Sequence, residues 1–215
     1  MRRWRQLAFL LALLAPLAAA GEMLDRIVAR VDHHVILESE VEDSLRYQAL
    51  LAGRDPARFS ADERKQAIGQ LVDRVLIEEQ IDRATFAHAS REDVERQVSN
   101  MRRQLPGASD DPGWRALLAR YGLTETDIKG LVAEQVDIFR YVESRFRPNI
   151  HIDQRSIEDY YLEQLIPQLH KSGAHEVPLK EVSGKIEEIL IQQRINELMA
   201  LWLRNLRLQE EVQVR

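Results

Sequence analysis

Helix-start signals recur along this chain and constrain its fold more than any other feature of the sequence. Ser39 and Ser60 are each followed three residues later by glutamate, the capping-box pattern that satisfies free backbone N–H groups at a helix start. The proline after Asp111 suits the first turn of a helix. Helix starts are predicted at Ser39, Ser60, Ser90, Asp111, Thr124 and Asp153. Apolar residues recur at helical spacing after these starts, so the chain beyond residue 38 is predicted to be almost entirely helical.

A final helix is predicted from about Leu179, and its apolar residues surround it rather than lining one side. They are Ile186, Ile189, Leu190, Ile191, Ile195, Leu198, Leu201, Trp202, Leu203 and Leu206. A helix that is apolar all round must be covered by several others. We therefore expect this helix to be the central one, with Trp202 in the core. Residues 165–178 contain Pro, Gly and Ser, and predict a loop before it.

The segment IVARVDHHVILESEVE, residues 27–42, predicts a β-hairpin that leads into the first helix. Apolar strands at 26–31 and 35–38 flank a short polar turn, and histidine tolerates positive φ better than most residues other than glycine. A lone hairpin is marginal in water. The alternating segment Glu211–Arg215 is the only other strand-like piece. We therefore expect a mainly α fold in which the N-terminal hairpin and the C-terminal strand close one small antiparallel sheet.

A metal site is the alternative interpretation of the adjacent histidines His33 and His34. Further ligands would have to come from His170, His175 and Glu176, in the predicted late loop. No pair among them lies one turn apart on a predicted helix, which is the spacing that brings two ligands to one metal ion. The hairpin turn is therefore favoured, and no metal site is predicted.

The first twenty residues have the pattern of a secretory signal peptide. A cationic start, MRRWRQ, precedes an apolar run of about 14 residues that is short for a membrane span, and small residues precede Gly21. We expect export to the periplasm, cleavage near Gly21, and at most peripheral contact with a membrane. Loss of the three arginines of the signal takes the net charge from −5 to about −8, which disfavours nucleic acid as a partner. Because the chain has no cysteine, its stability must come from its core.

Three stretches of the chain resemble the SurA family of periplasmic chaperones. LDRIVARVDHHVILESEVE (24–42) resembles the family's opening strand, turn and helix, and IDQRSIEDYYLEQ (152–164) is similar to the helix that leads towards a parvulin domain. IEEILIQQRINELMALWLRNLRLQEEVQVR resembles the family's C-terminal helix and strand, with Trp202, Leu203 and Leu206 in a W-L-x-x-L-R pattern. The resemblance covers nearly all of the chain after the signal peptide.

The sequence departs from the family pattern at two places. The family's turn usually carries a glycine where this chain has His34. A parvulin isomerase domain needs roughly 90 residues with its own core, and residues 165–178 leave room for a loop only. We therefore divide the chain into a signal peptide (1–20), a SurA N-terminal-like helical region (21–164), this loop in place of a parvulin domain, and a C-terminal helix and strand (179–215) that complete the same core.

Apolar side chains are the candidate functional residues. The sequence shows no nucleophile–base motif and no phosphate-binding glycine loop, so no catalytic residue, cofactor site or metal site is predicted. The client-binding candidates are Met101, Trp114, Leu117 and Tyr121, on two short predicted helices in a row. Aromatic and methionine side chains suit adaptable contacts with an extended polypeptide. The alternative is that these residues pack into the core.

The resemblance implies an ATP-independent holdase that binds unfolded exported proteins, such as outer-membrane protein precursors, without enzymatic activity or a cofactor. Release would occur by exchange, and affinity would be modest because the client loses conformational freedom on binding. One alternative is a non-catalytic helical adaptor with a single dedicated envelope partner. A prolyl isomerase is a third interpretation, disfavoured by the missing domain.

Overall fold

The computed structural model describes residues 25–214, and the predicted signal peptide, residues 1–20, lies outside the described residues. Along the described range the chain forms a β-hairpin, then eight α-helices, then a final strand. The predicted fold class, mainly α with one small antiparallel sheet, is confirmed.

Three short strands form the sheet, in the order β2-β1-β3. They are β1 Ile27–Val31, β2 His34–Leu37 and β3 Val212–Val214. The last strand runs antiparallel to the first, with Ala29 opposite Val214. Beyond the ladder, the Asp32 N–H donates to the Glu211 carbonyl at 3.1 Å. The predicted pairing between the two ends of the chain is therefore confirmed.

The turn of the hairpin consists of Asp32 and His33, and His34 already belongs to β2, opposite Val31. Positive φ falls on Asp32, at 47°, and not on the histidines as expected. Aspartate is one of the residues that adopt the left-handed region most readily. Its carboxylate also accepts the Glu211 N–H at 3.0 Å, which ties this turn to the C-terminal strand.

Helices make up most of the described chain. They are α1 Glu38–Ala52, α2 Ala61–Arg83, α3 Arg91–Gln104, α4 Asp111–Tyr121, α5 Glu125–Phe146, α6 Gln154–Tyr160, α7 Ile166–Ser172 and α8 Leu179–Gln209. A 3₁₀ turn, Arg147–Asn149, follows α5, and a π-helical turn, Tyr161–Leu165, joins α6 to α7 without a break. Among residues 25–214, no helix combines the length and the apolar character needed to cross a membrane.

Side-chain caps confirm most of the predicted helix starts. At the start of α2, the Ser60 hydroxyl accepts the Glu63 N–H, and the Glu63 carboxylate accepts the Ser60 N–H at 2.8 Å. Ser90, Thr124 and Asp153 cap α3, α5 and α6 in the same way, each accepting a backbone N–H of the first turn. These caps depend only on residues three positions apart, which is why the sequence predicts them well.

Two predicted starts are displaced. The first helix begins one residue before Ser39, because the Glu40 carboxylate accepts the Leu37 N–H at 2.7 Å and takes the role predicted for a later glutamate. The fourth is capped by Asp110 rather than by Asp111, so the proline falls at the second helical position. In both cases a neighbouring acidic side chain supplies the cap, and the helix shifts by one or two residues.

The segment 165–178 is not the loop that its composition predicts. Half of it forms α7, in which Pro167 lies in the first turn, where a missing N–H is not needed. Gly173, at a φ of 70°, ends this helix. The Tyr161 hydroxyl donates to the Val177 carbonyl at 2.9 Å and fastens the remaining connection to the preceding helical segment.

The central helix is α2, so the prediction that α8 is central is wrong. The buried residues of α2 are Ala67, Leu71, Val72, Val75, Leu76, Ile77 and Ile81. This helix contacts β1, β2, α1, α5 and α8. By contrast, α8 buries only Ile186, Ile195 and Leu206, leaves Leu201 51% exposed, and holds Trp202 half-buried. Although α8 packs against α2, α5 and α6, its apolar residues Ile189, Leu201 and Leu208 stay exposed.

Three buried clusters hold the helices of residues 25–214 together, and the smallest, Ile77, Ile81 and Tyr141, joins α2 to α5. The first joins the sheet to α1, α2 and the end of α8, and includes Val31, Leu45 and Leu206. The second joins the end of α1 to α3, α4 and α5, and includes Leu50 and Trp114. Since α1 contributes to the first two of these clusters, it links the α2 side of the core to the α5 side, and the third cluster joins α2 and α5 directly. Two grooves lie on the surface along these helices.

Candidate functional site: two adjoining surface grooves

The four residues predicted to bind clients do not form one exposed face. Trp114 and Tyr121 are 1% and 4% exposed, and both belong to the second buried cluster. Leu117 and Met101 are half-buried at the margin of that cluster, and Met101 also lines a surface groove. Because Trp114 and Tyr121 are buried, another chain could not contact them. These two residues pack into the core, which is the alternative to client binding.

Arg102 holds α4 in place against α3. Its guanidinium lies 5.6 Å from the centre of the Trp114 ring, a distance at which a cation is attracted to the ring face. The same side chain donates to the Ala108 carbonyl at 3.2 Å and to the Asp111 carboxylate at 2.8 Å. The two short helices therefore pack on each other, and no cleft opens between them at Trp114.

A groove of about 650 Å³ lies between α1, α3 and α5, and we call it the α3 groove. Its apolar lining consists of Tyr47, Leu51, Met101, Val132, Val136 and Phe139. Phe139 is 59% exposed and Leu51 is 48% exposed. Large apolar side chains that remain in contact with water beside a concave surface are typical of binding sites.

Amide side chains follow one wall of the α3 groove. Gln97, Asn100 and Gln104 lie on α3 at intervals of three and four residues, which places them on the same side of the helix. Gln135 adds a fourth amide from α5. Each amide both donates and accepts hydrogen bonds, so it can pair with a peptide backbone whatever the side chains are.

A second groove, of about 620 Å³, lies between α1, α2, α5 and α8, and we call it the α8 groove. Ile77, Leu131, Ile138, Met199 and Leu203 supply apolar surface that is not shared with the first groove. Tyr47, Leu51 and Gln135 line both grooves, and the Tyr47 hydroxyl donates to Gln135 Oε1 at 3.5 Å. The two grooves therefore adjoin along α1 and α5.

An ion-pair network fixes the wall of the α3 groove. Asp93 of α3 forms an ion pair with Arg140 of α5 at 2.8 Å and a second ion pair with Arg96. Hydrogen bonds from Ser90 and Arg140 hold the pKa of Asp93 well below its usual range. The carboxylate stays ionised at any physiological pH, so it links the two helices permanently.

A smaller cavity of about 260 Å³ lies beside the α8 groove. It is lined by Glu78, Ile81, Asp82, His88, Glu134 and Asp137. Asp137, which is buried, accepts the Ala89 N–H and lies 2.7 Å from His88 Nδ1, so it ties the α2–α3 connection to α5. The hydrogen bond with Asp137 raises the pKa of His88. Glu134 lines both this cavity and the α8 groove, so its charge is common to the two.

Three carboxylates meet where the two ends of the chain join. Asp32, Glu79 and Glu210 place oxygen atoms within 4.8 Å of one another. Arg83 donates to Glu79 and to Glu210, at 3.1 Å in each case, and supplies a positive charge to the group. The paired histidines at 33 and 34 are not part of this cluster.

The sequence did not indicate the exposed apolar residues Leu51 and Phe139. Both occur in helices with regular apolar spacing, and nothing local separates them from core residues. The amide spacing on α3 was readable from the sequence. Its meaning depends on the facing helix α5, which lies some thirty residues further along the chain.

Comparison with known proteins shows a partial similarity to one chaperone. No family model matches the chain. It is 30% identical over 156 residues to Chaperone SurA of Xanthomonas campestris pv. campestris (strain 8004), covering 70% of this chain and 33% of that protein. It is 29% identical over 167 residues to Chaperone SurA of Xanthomonas oryzae pv. oryzae (strain MAFF 311018), covering 74% and 35%. The chain spans about a third of the length of these relatives, and is SurA-like over most of its own length.

Proposed function

We propose that this protein is a SurA-type periplasmic chaperone core that acts as an ATP-independent holdase for unfolded exported proteins such as outer-membrane protein precursors. One observation carries the proposal: the α3 and α8 grooves adjoin and keep large apolar side chains exposed. The similarity to proteins named Chaperone SurA supports the same function.

The lining of the grooves suits an extended polypeptide of varied sequence. Apolar walls that include Leu51 and Phe139 gain free energy from any buried apolar side chain, without fixed geometry. The amides on α3 and α5 pair with the backbone, which is the same in every client. A client would lose conformational freedom on binding, so affinity is modest and release occurs by exchange without a nucleotide.

Met101 is the member of the predicted client-binding set that keeps a place in this proposal, because it lines the α3 groove. Methionine is flexible and polarisable, and adapts to different partner shapes. Trp114 and Tyr121 support the wall from within the buried cluster. Their role is to hold α4 and α3 in position rather than to touch a client.

An aggregation assay with two unrelated unfolded proteins tests the holdase activity. The variant Leu51→Ser/Phe139→Ser removes exposed apolar surface from the grooves, and should raise the chaperone concentration needed for half-suppression about tenfold, which corresponds to roughly 1.4 kcal/mol. Both residues are about half exposed, so the melting temperature should change little.

Leu208→Ser is the matched control. Leu208 is 79% exposed on α8 and lines neither groove. It should leave suppression unchanged. Equal loss in the control and the groove variant would show that general surface hydrophobicity, and not the grooves, holds the clients. Failure of the parent protein to suppress either client, with one folded protein copurifying instead, would favour the helical adaptor.

A further inference from the structure

Two carboxylates compete for one guanidinium at the crossing of α2 and α5. Arg74 of α2 donates from Nη1 to Glu134 of α5 at 2.8 Å. Glu78, one turn along α2, is left with the Arg74 Nε at 3.8 Å, beyond hydrogen-bond length. Both the Glu78 Oε1 and the Arg74 Nε are buried and lack a hydrogen-bond partner within residues 25–214. Glu78 is therefore the carboxylate without a proper partner.

The surroundings of Glu78 are predominantly acidic. The charged or titratable groups that act on it or share its cavity are Arg74 and Asp82 from α2, Glu134 and Asp137 from α5, Glu40 from α1 and His88 from the α2–α3 connection. His88 is already paired with Asp137, and Arg74 with Glu134. An ionised Glu78 therefore adds a negative charge that no nearby cation fully compensates.

Burial, reinforced by the charge of Glu134, raises the pKa of Glu78 to about 7. Burial also raises the pKa of Glu134. The group thus changes charge close to neutral pH, where an ordinary glutamate is fully ionised. A protonated Glu78 carries no charge and can donate a hydrogen bond. Protonation therefore removes the repulsion between Glu78 and Glu134.

The cluster forms part of the wall of the α8 groove. Arg74 and Glu134 line that groove, and Glu78 lines the cavity on the other side of them. Any separation of α2 from α5 at this point changes the width of the groove. The partly buried Glu78 carboxyl therefore lies beside a surface proposed to hold clients.

We propose that the Glu78–Arg74–Glu134 cluster makes the packing of α2 on α5 depend on protonation, so that the α8 groove keeps its shape in weak acid and loosens as the pH rises to slightly above neutral. This rests on the proposed function, because it names a regulation of the same grooves. A groove that is already shaped holds an extended client better, so retention is tighter in weak acid.

The direction follows from the two states of Glu78. Since its pKa is higher in the folded chain than in the unfolded one, its contribution to stability is fully present below the usual value of 4.5 and is lost as the pH rises through about 7. The helix-capping carboxylates act in the opposite direction. Backbone and side-chain hydrogen bonds with Ser60 and Arg54 lower the pKa of Glu63 to about 2, so its contribution is lost only in strong acid.

Amide hydrogen exchange tests the proposal without any client. Protection factors of α2 and α5 in the parent should fall about tenfold between about pH 5.5 and about pH 8, because ionised Glu78 destabilises the packing by an amount that solvent screening reduces. Glu78→Gln should show a clearly smaller fall, because its amide is neutral throughout and only neighbouring groups such as His88 and Glu134 still titrate. The matched control is Glu92→Gln, an exposed residue on α3 that lines neither groove, and it should behave like the parent.

The contribution of His88 to the pH dependence is distinguished from that of Glu78 by a variant at His88. The raised pKa of His88 gives stability that is also lost as the pH rises, so His88→Gln is measured in parallel. A pH dependence that disappears in His88→Gln and persists in Glu78→Gln would overturn the proposal. Direct titration of the Glu78 carboxyl by NMR in the parent should give a midpoint near 7, and an ordinary midpoint near 4.5 would overturn it as well.

Client retention at the two pH values separates this inference from the proposed function. The parent should retain an unfolded client severalfold longer at the lower pH, and the difference between the two pH values should be clearly smaller for Glu78→Gln. Clients held with no pH dependence of α2–α5 protection would refute the proton linkage alone. A clear pH dependence of protection without suppression of aggregation at either pH would refute the holdase function and leave the linkage standing.

Discussion

The helices α2 and α8 look similar in sequence and have opposite positions in the molecule. Both are long and carry apolar residues on more than one side. In α2 these residues meet the sheet, α1, α5 and α8 on different sides, and Leu76 is 1% exposed. In α8 the apolar residues that face away from α2 and α5 stay at the surface, and Leu201 is 51% exposed.

A helix with apolar residues all round needs several neighbouring elements to bury them. Its own sequence does not show whether those neighbours are present. The segment after Pro178 extends for 31 residues, longer than any other helix of residues 25–214, and the helices α2, α5 and α6 that pack on it bury few of its apolar residues. The shorter α2, with 23 residues, lies between the two ends of the chain, where the hairpin and the returning α8 enclose it.

The largest expected effect compares one leucine from each helix. Leu76→Ala should lower the free energy of unfolding by about 3 kcal/mol, because it opens a cavity among fully buried neighbours. Leu201→Ala should change it by less than about 0.5 kcal/mol. Urea denaturation of the two variants measures both values. Comparable losses would mean that α8 is covered in solution, by another copy of the chain or by another protein.

A smaller effect is expected at the ring that joins α8 to α5. Trp202 packs on Tyr141 and Phe146, with centroid distances of 6.1 Å and 5.7 Å, and Arg145 lies 4.7 Å from its centre. Trp202→Ala should cost about 1–3 kcal/mol, below the roughly 3–5 kcal/mol of a fully buried ring. Thermal unfolding of Trp202→Ala and Leu76→Ala shows which of the two substitutions destabilises the protein more. A larger loss of stability than that of Leu76→Ala would show that α8, and not α2, is the central helix.

The smallest effect concerns how the two helices begin. Ser60 caps α2 through its hydroxyl, whereas Pro178, which precedes the first residue of α8, supplies no side-chain cap. Ser60→Ala should cost about 1 kcal/mol, because an N–H of the first turn loses its acceptor. Ser183→Ala, in the early part of α8, is the matched control and should stay within about 0.5 kcal/mol. If chemical denaturation gives equal values, the cap of α2 contributes nothing to stability.

Local patterns predicted most of the secondary structure. Ser60, Ser90 and Thr124 were identified as caps because each bonds to a backbone group three residues away. The predicted start was wrong where two neighbouring residues could both cap the helix, as at Asp110 and Asp111. A proline and a glycine were interpreted as loop signals in residues 165–178, although they lie at the two ends of a short helix.

Of the four predicted client-binding residues, Met101 alone lines one of the two grooves, and its binding role stays a prediction. Met101 lines the α3 groove as a client-binding residue would, but Trp114 is buried under Arg102. Size and apolar character are properties of a residue, whereas exposure is a property of its neighbours. The position of Phe139 on the exposed side of α5 follows from how α3 and α1 lie against that helix, which no short window of sequence contains.

The sequence alone determined the helix starts, the hairpin, the strand that returns to it and therefore the mainly α class, because caps, turns and periodicity act between residues a few positions apart. Only the tertiary structure decided which helix is central, which apolar residues remain exposed, and that Arg74 is shared by Glu78 and by Glu134, sixty residues away. These last properties depend on which distant segments meet, and thus on the free energy of the whole packed chain.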